Sequence, residues 1–391
     1  VLGDMEEAGF AVNRQGIREF GKTLQVRIDS LYQSVMDQVG YEFNLNSPKQ
    51  LGEALFGKMG LAHGKKTKSG YSTGVEVLES LRDENPVVEE ILSYRTLTKL
   101  NSTYCEGLQK AISEDGRIHS TFNQAETRTG RISSTEPNLQ NIPIRTEPGS
   151  RVRRFFIARE GCVLVDADYS QIELRVLAHV ANDEVMIDSF RNNKDIHRAT
   201  ASRVFRVPEE LVTPKMRSSA KAVNFGIVYG IGAFSLSKDI GVTRREAEDY
   251  IAEYLRNFSG VRDYMEQIIL KAKEQGFVED LFGRRRYLPE LQSSNFNMRG
   301  FGERVARNMP IQGAAADIIK IAMVRVWERL KKEKLQARLI LQVHDELIVE
   351  CPIEECERVK SLLQEEMEGA VQLSVPMLVE VASGPNWYDA H

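Results

Sequence analysis

Strand-like patterning, apolar residues alternating with polar ones or forming short runs, clusters in three places: Cys162 to Ala167, Leu339 to Glu350 and Met377 to Ala382. Elsewhere the helical period dominates and predicts helices over Pro86 to Ile112, Arg244 to Phe258, Gly260 to Gln275 and Gly300 to Lys332. Helix starts are marked chemically. Ser47 precedes Pro48, a capping hydroxyl followed by the residue suited to the first helical position, and Thr73…Glu76 and Thr243…Glu246 have capping-box spacing. A few strands from distant segments among many helices predict an α+β fold, a small sheet with mainly helical insertions. The turn-rich tract from Thr127 to Gly149 is too long for an idle connection.

One predicted strand pair is odd at its bend. Leu339, Leu341 and Val343 alternate with Ile340 and Gln342, and Leu347-Ile348-Val349 resumes the apolar run. Between them His344, Asp345 and Glu346 occupy a joint where Asn-Gly or Asp-Gly is favoured. A second rigidly held acid lies in "GCVLVDADYSQIELRVLAHV". There the strand Cys162 to Val165 runs into Asp166-Ala167-Asp168, ahead of an amphipathic helix with Ile172, Leu174, Val176 and Leu177. Two such carboxylates side by side would repel unless cations lay between them, and hard divalent ions are what phosphoryl chemistry uses. The plainer alternative is that Asp168 caps the helix after it.

Arg217, Lys221, Phe225 and Tyr229 recur every fourth residue and form one stripe, two cations and then two aromatics. A core face explains the aromatics but not the cations beside them; a triphosphate needs both. Arg304, Asn308 and Gln312 repeat the spacing, with Pro310 expected to distort their helix.

Composition is that of an ordinary globular chain: 391 residues, 42% hydrophobic and 28% charged, with no apolar run long enough to span a membrane. The opening "VLGDMEEAGF" does not read as a signal peptide and looks like the middle of a longer chain. Cys105, Cys162, Cys351 and Cys356 lack metal-ligand spacing and are expected as free thiols. A net charge of −4 argues against a nucleic-acid partner until its distribution is considered. Ala54 to Val75 has no acid but holds Lys58, Lys65, Lys66 and Lys68, and Leu211 to Lys238 is likewise free of acids. Arg128 to Arg159 has seven arginines against two glutamates. Segregated positive stretches are the footprint of a polyanion partner.

Three ordered stretches, "DYSQIELR" (Asp168 to Arg175), "RSSAKAVNFGIVYG" (Arg217 to Gly230) and "QVHDE" (Gln342 to Glu346), resemble the polymerase motifs of family A DNA polymerases of bacterial type. "TRTGRISSTEPNLQNIP", "ERVARNMPIQGAAADIIK" and the closing "GPNWYDAH" are similar to the same family, so the resemblance runs over essentially the whole chain. It implies a right-hand fold with a sheet-based palm and mainly helical fingers and thumb. The implied division is N-terminal helices and thumb over 1–116, palm over 117–183, fingers over 184–292 and the rest of the palm over 293–391.

The resemblance also implies roles. Asp168 and Asp345, with the backbone carbonyl of Tyr169, would hold two Mg²⁺ ions, for which Mn²⁺ could substitute. Glu346 would support them. Arg217, Lys221 and His197 would meet the phosphates of an incoming deoxynucleoside triphosphate, with Lys221 also serving the chemistry, and Gln171, Phe225 and Tyr229 would complete the nucleotide site. Glu173 matches a steric gate against the ribose 2′-hydroxyl, and Phe225 stands where a tyrosine would admit dideoxynucleotides. Arg131, Arg304, Asn308 and Gln312 would contact the DNA minor groove, whose acceptors occur on every base pair. His344 would lie near the primer end, and Lys65, Lys66 and Lys68 would touch DNA from the thumb tip.

The implied function is template-directed addition of deoxynucleotides to a primer 3′-hydroxyl, by a monomer acting on primer-template DNA in the bacterial cytoplasm, at the nucleoid, with no membrane partner. Asp4-Met5-Glu6 is the sole D-x-E, without further exonuclease motifs, so neither proofreading nor 5′-nuclease activity is expected of this chain. Two other classes compete: a metal-dependent nuclease using the same aspartates, and an inactive DNA-binding relative. The triphosphate-like stripe counts against the first and the intact aspartates against the second. The absence of GxxxxGK[ST] removes a P-loop ATPase.

Overall fold

A computed structural model describes residues 1–62, 66–67, 70–144 and 147–391, with Lys66 and Thr67 described by backbone alone. Lys65 and Lys68, and the side chain of Lys66, therefore lie outside the described residues. Helices α1 (Arg14–Val39) and α2 (Pro86–Leu100) pack together in the N-terminal part. Strand β1 (Cys162–Tyr169) and helix α3 (Ile172–Val180) follow. Next comes a helical block: α4 (Ile196–Phe205), α5 (Pro214–Val228), α6 (Arg244–Asn257) and α7 (Ser259–Gln275). The long helix α8 (Phe296–Lys332) leads to the hairpin β2 (Arg338–Val343) and β3 (Glu346–Pro352). Helix α9 (Cys356–Glu368), strand β4 (Val379–Gly384) and helix α10 (Trp387–Ala390) close the chain.

The four strands form one antiparallel sheet in the order β2-β3-β1-β4. The apolar run of β1 is explained by that central position: Leu164, Val165 and Ala167 are fully buried. The α+β expectation is met, with the sheet built from two segments separated by the helical block. The helix over Pro86 to Ile112 is also there, its last turns passing through a π-helical stretch, Asn101–Glu106.

Local signals succeeded where nothing competed for the side chain. Thr243 and Glu246 form the reciprocal capping box at the start of α6, and Ser47 caps the helix beginning at Pro48. Thr73 does not cap: Gly74 holds that position, and Arg95 Nη2 donates to the Thr73 hydroxyl at 3.4 Å. Helix α8 runs on through Pro310; Met309, Ile311 and Gly313 to Ala316 bury this stretch, and packing offsets one missing hydrogen bond. Asp168 is no helix cap either, because it belongs to β1 and the cap position of α3 is Gln171, in the left-handed conformation with φ 56°. The four cysteines are free.

Candidate active site

Pairing in the sheet sets the site. Asp168 lies in register between Glu346 of β3 and Glu380 of β4, and Asp166, two residues earlier, shares its face. Asp345 occupies the two-residue bend between β2 and β3, and its carbonyl accepts a hydrogen bond from the Tyr169 N–H at 3.2 Å. The bend is thereby tied to the end of β1. His344, exposed, adopts φ 49°, a conformation that glycine would take without strain. Side chains hold it: Gln342 Nε2 donates to the His344 carbonyl at 2.6 Å, and Gln140 Nε2 to the Gln342 carbonyl at 3.3 Å.

This crowding has an electrostatic signature. Burial, and then the carboxylates of Glu346 and Asp166, push Asp168 up to about 7. Burial pushes Asp345 up to about 7 as well, with Glu173, Asp168 and Glu346 adding to the rise and Arg131 opposing it. Carboxylates massed on a rigid sheet, reluctant to ionise together, are a donor set suited to hard divalent cations.

A second group adjoins it on the same face. His391 Nδ1 sits 3.1 Å from Asp166 Oδ2 and 3.3 Å from Glu346 Oε2. Trp387 Nε1 donates to Glu346 Oε1 at 3.2 Å, and the buried Arg153 approaches that oxygen at 3.7 Å while stacking over the Trp387 ring. Hydrogen bonds to Asp166 and Glu346 hold the His391 imidazole up at about 10.

Above the sheet, Glu173 in the first turn of α3 is buried and accepts from Arg131 Nη2 at 2.6 Å. The Tyr229 hydroxyl lies beside Glu173 and Gln312 and is pushed up to about 12 by burial and by the Glu173 carboxylate. Arg131, Glu173, Tyr229, Gln312 and Asp345, separated widely in sequence, thus converge. Gln171 Oε1 is buried without a hydrogen-bond partner among the described residues.

Helix α5 carries the stripe. Arg217, Lys221 and Phe225 lie on it, and Tyr229 is its C-cap. Lys221 Nζ is 6.0 Å from the Phe225 ring centre. His197 is buried, receives a hydrogen bond at Nδ1 from Asn224 at 2.9 Å and lies 5.8 Å from the Phe225 ring; burial lowers it to about 4, so it is neutral. Arg217 pairs with Asp195 at 2.6 Å. On α8, Asn308 Nδ2 donates to the Val228 carbonyl at 3.4 Å, and Arg304 packs against Gly230, whose φ is 66°.

Sequence reasoning missed Asp166, Arg153, Asp195, Glu380, Trp387 and His391. The parity of Asp166-x-Asp168 in a strand was a signal available for the first; the others required the fold.

Acids at the end of a central strand and in the neighbouring bend, with a helix of cations and aromatics whose Tyr229 reaches Glu173, fit a palm and fingers. The DNA polymerase family A model matches residues 14–389, and the chain belongs to that family, with its α+β right-hand fold. DNA polymerase I of Bacillus subtilis (strain 168) is 53% identical over 392 residues, a match covering 100% of this chain and 44% of that protein. DNA polymerase I of Geobacillus stearothermophilus is 52% identical, over 100% of this chain and 45% of that protein. The chain thus spans somewhat less than half the length of these relatives. Among solved structures, the POL domain of Pol1 from M. smegmatis, in complex with DNA primer-template and dNTP, superposes with a TM-score of 0.95 at 43% identity. That match covers 100% of this chain and 69% of the other.

Proposed function

We propose that this chain is a template-directed DNA polymerase that adds deoxynucleoside triphosphates to a primer 3′-hydroxyl. The observation that carries this reading is the convergence of Asp168 and Asp345 with the Arg131–Glu173–Tyr229 group beneath the α5 stripe. The 3′-hydroxyl gives up its proton to solvent as its oxygen attacks the α-phosphorus, a new P–O bond forms, the bond to the bridging oxygen breaks, and pyrophosphate leaves. Two Mg²⁺ ions, or Mn²⁺ in their place, held by Asp168, Asp345 and the Tyr169 carbonyl, would supply activation of the attacking oxygen and neutralisation of the leaving one.

The chain's own groups do the rest. Arg217 and Lys221 hold the phosphates, and Arg217 must exchange Asp195 for them. Lys221 lies exposed on the same face and neutralises the leaving pyrophosphate. Phe225 and Tyr229 pack against the sugar and base, and His197, buried and neutral, supports Phe225 and offers a hydrogen bond rather than a charge. Gln171 completes this pocket. Glu173 fills the space below the sugar. Arg131, Arg304, Asn308 and Gln312 donate to the minor groove, His344 borders the primer end, and Lys65, Lys66 and Lys68 grip the duplex.

The division into thumb (1–116), palm (117–183 and 293–391) and fingers (184–292) follows, supported by β1 sharing a sheet with β2, β3 and β4. Asp4-Met5-Glu6 is read as structural and not as an exonuclease remnant: Asp4 accepts from Trp327 and Lys331, Met5 is buried, and Glu6 accepts from the Phe122 N–H. No helix among the described residues is long and apolar enough to cross a membrane. A monomer working at the bacterial nucleoid is the setting this reading implies.

Extension of a labelled primer on a recessed template tests it, beside Asp345→Asn. Growth dictated by the template with deoxynucleotides and Mg²⁺, reduced at least roughly a thousandfold in the variant, is expected. Shortening of the primer, or binding without any change in length, overturns the reading.

A further inference from the structure

Beside Asp168 lies a cluster in which only Glu346, as a support for the metal ligands, has so far been given a part in the reaction. Asp166, Asp168 and Glu346 project from the same face of β1 and β3, Glu346 directly opposite Asp168 and diagonal to Asp166. Like charges so placed push adjacent strands apart. Two groups from outside the sheet intervene. Arg153 approaches Glu346 at 3.7 Å, and His391 reaches both Asp166 and Glu346 through a single atom, Nδ1, at 3.1 and 3.3 Å. An imidazole nitrogen between two carboxylate oxygens holds that position as an N–H donor, because its lone pair would face negative charge on both sides. With His391 in place Asp166 is 3% exposed, while the His391 side chain is 34% exposed and covers the cluster from its open side.

We propose that His391 is a positioning residue for the polymerase centre: its Nδ1–H clamps Asp166 on β1 to Glu346 on β3 and so fixes the two strand ends that carry Asp168 and Asp345. Asp166 lies two residues before Asp168, and Glu346 directly follows Asp345. A loosened clamp therefore displaces the reacting carboxylates while leaving the nucleotide-binding helix α5 untouched. This rests on the polymerase reading, which the wild-type chain tests first. A wild-type chain that does not extend a primer sinks that reading, whereas a defect-free His391 variant sinks only the clamp.

The experiment is single-turnover incorporation of one correct nucleotide by His391→Ala, His391→Asn and His391→Gln, each checked for folding by its melting curve. Asparagine places an amide N–H near the position of Nδ1; glutamine places it near Nε2. Expected are a fall in the maximal rate of roughly tenfold or more for His391→Ala and His391→Gln, an apparent nucleotide affinity within about twofold of wild type, and recovery of most of the rate in His391→Asn. Asp166→Asn added to His391→Ala should also recover rate, because it removes one of the facing charges. Wild-type rates in His391→Ala, equal loss in His391→Asn and His391→Gln, or a defect confined to nucleotide affinity would each overturn the proposal. So would a Mg²⁺ or Zn²⁺ ion that stays bound to Asp168→Asn protein and is lost with His391→Ala, since the three residues would then be ligands. If His391→Ala does not fold, the asparagine–glutamine comparison decides the matter alone.

Discussion

Replacing Glu173 with alanine should admit ribonucleotides, and the structure bounds the effect. The Glu173 side chain is buried, 4% exposed, and pinned at 2.6 Å by Arg131, so it cannot swing aside to make room. Forcing one extra heavy atom into filled space costs about 1–3 kcal/mol, which at about 1.4 kcal/mol per tenfold is roughly 5- to 150-fold in efficiency. Glu173→Ala should narrow the ratio of deoxy to ribo kcat/KM by that factor. It should also cost stability, because Arg131 loses a charge-assisted partner worth about 1.5–3 kcal/mol. Partial exposure of Arg131 puts the loss at the lower end. Glu173→Gln keeps the volume and removes the charge. The assay is insertion of one matched deoxy- or ribonucleotide on the same primer-template, fitted for kcat and KM with each variant. If Glu173→Gln admits ribonucleotides as freely as Glu173→Ala, exclusion is electrostatic and the steric argument fails; if neither does, the gate lies elsewhere.

Further expectations concern the nucleotide helix, the acids and a helix start. With Phe225, the wild-type chain should discriminate against dideoxynucleotides in direct competition, and Phe225→Tyr should reduce that preference roughly tenfold or more; equal incorporation by wild type refutes this. In metal-free protein, Asp168 and Asp345 retain protons to about 7, against an ordinary 3.8, so the folded state binds more protons than the unfolded chain between those values. Their contribution to stability therefore falls as pH rises from about 4 to 7. Urea titrations in chelator at pH 5 and 7.5 should show this fall, Mg²⁺ should offset it, and Asp168→Asn/Asp345→Asn should lack it. His391, raised to about 10, acts in the opposite sense to a depressed acid: its contribution is whole below about 6.5 and is lost as pH climbs through 10. Thr243→Ala removes the capping box of α6 and should lower stability by about 1 kcal/mol, read from the urea midpoint; an unchanged midpoint would mean that packing alone sets that helix start.

Much of the site was legible because its residues sit where local chemistry looks wrong. His344-Asp345-Glu346 at a bend without glycine, and a strand ending in two acids, stand out against their apolar flanks without any knowledge of the fold. The α5 stripe was legible for a related reason: four-residue spacing places Arg217 beside Phe225 whatever the tertiary context. The clamp was not legible. Arg153 and His391 look unremarkable alone, and only strand pairing and the docking of α10 bring them together with Asp166 and Glu346. The Thr73 error has the same origin, since the hydroxyl that fits a capping box was engaged by Arg95 from a helix more than twenty positions away. At Pro310 the helix continues in spite of a local penalty, because burial along α8 outweighs it.

The position of β1 in the sheet also bears on how such a chain is made. Its two neighbours, β3 and β4, both follow the helical block, and Asp168 waits for Glu346, 346 − 168 = 178 residues later, before it has a pairing partner. At ribosomal speeds of about 5–20 residues per second, that is an interval of roughly 10–35 s. During it a strand of high β propensity has both edges open, while the helical block between can fold on local contacts. The nascent chain thus carries no assembled carboxylate pair until β2 and β3 emerge. A chain halted in the helical block would carry an unsatisfied strand with Asp168 still without Glu346 beside it, a target for chaperones.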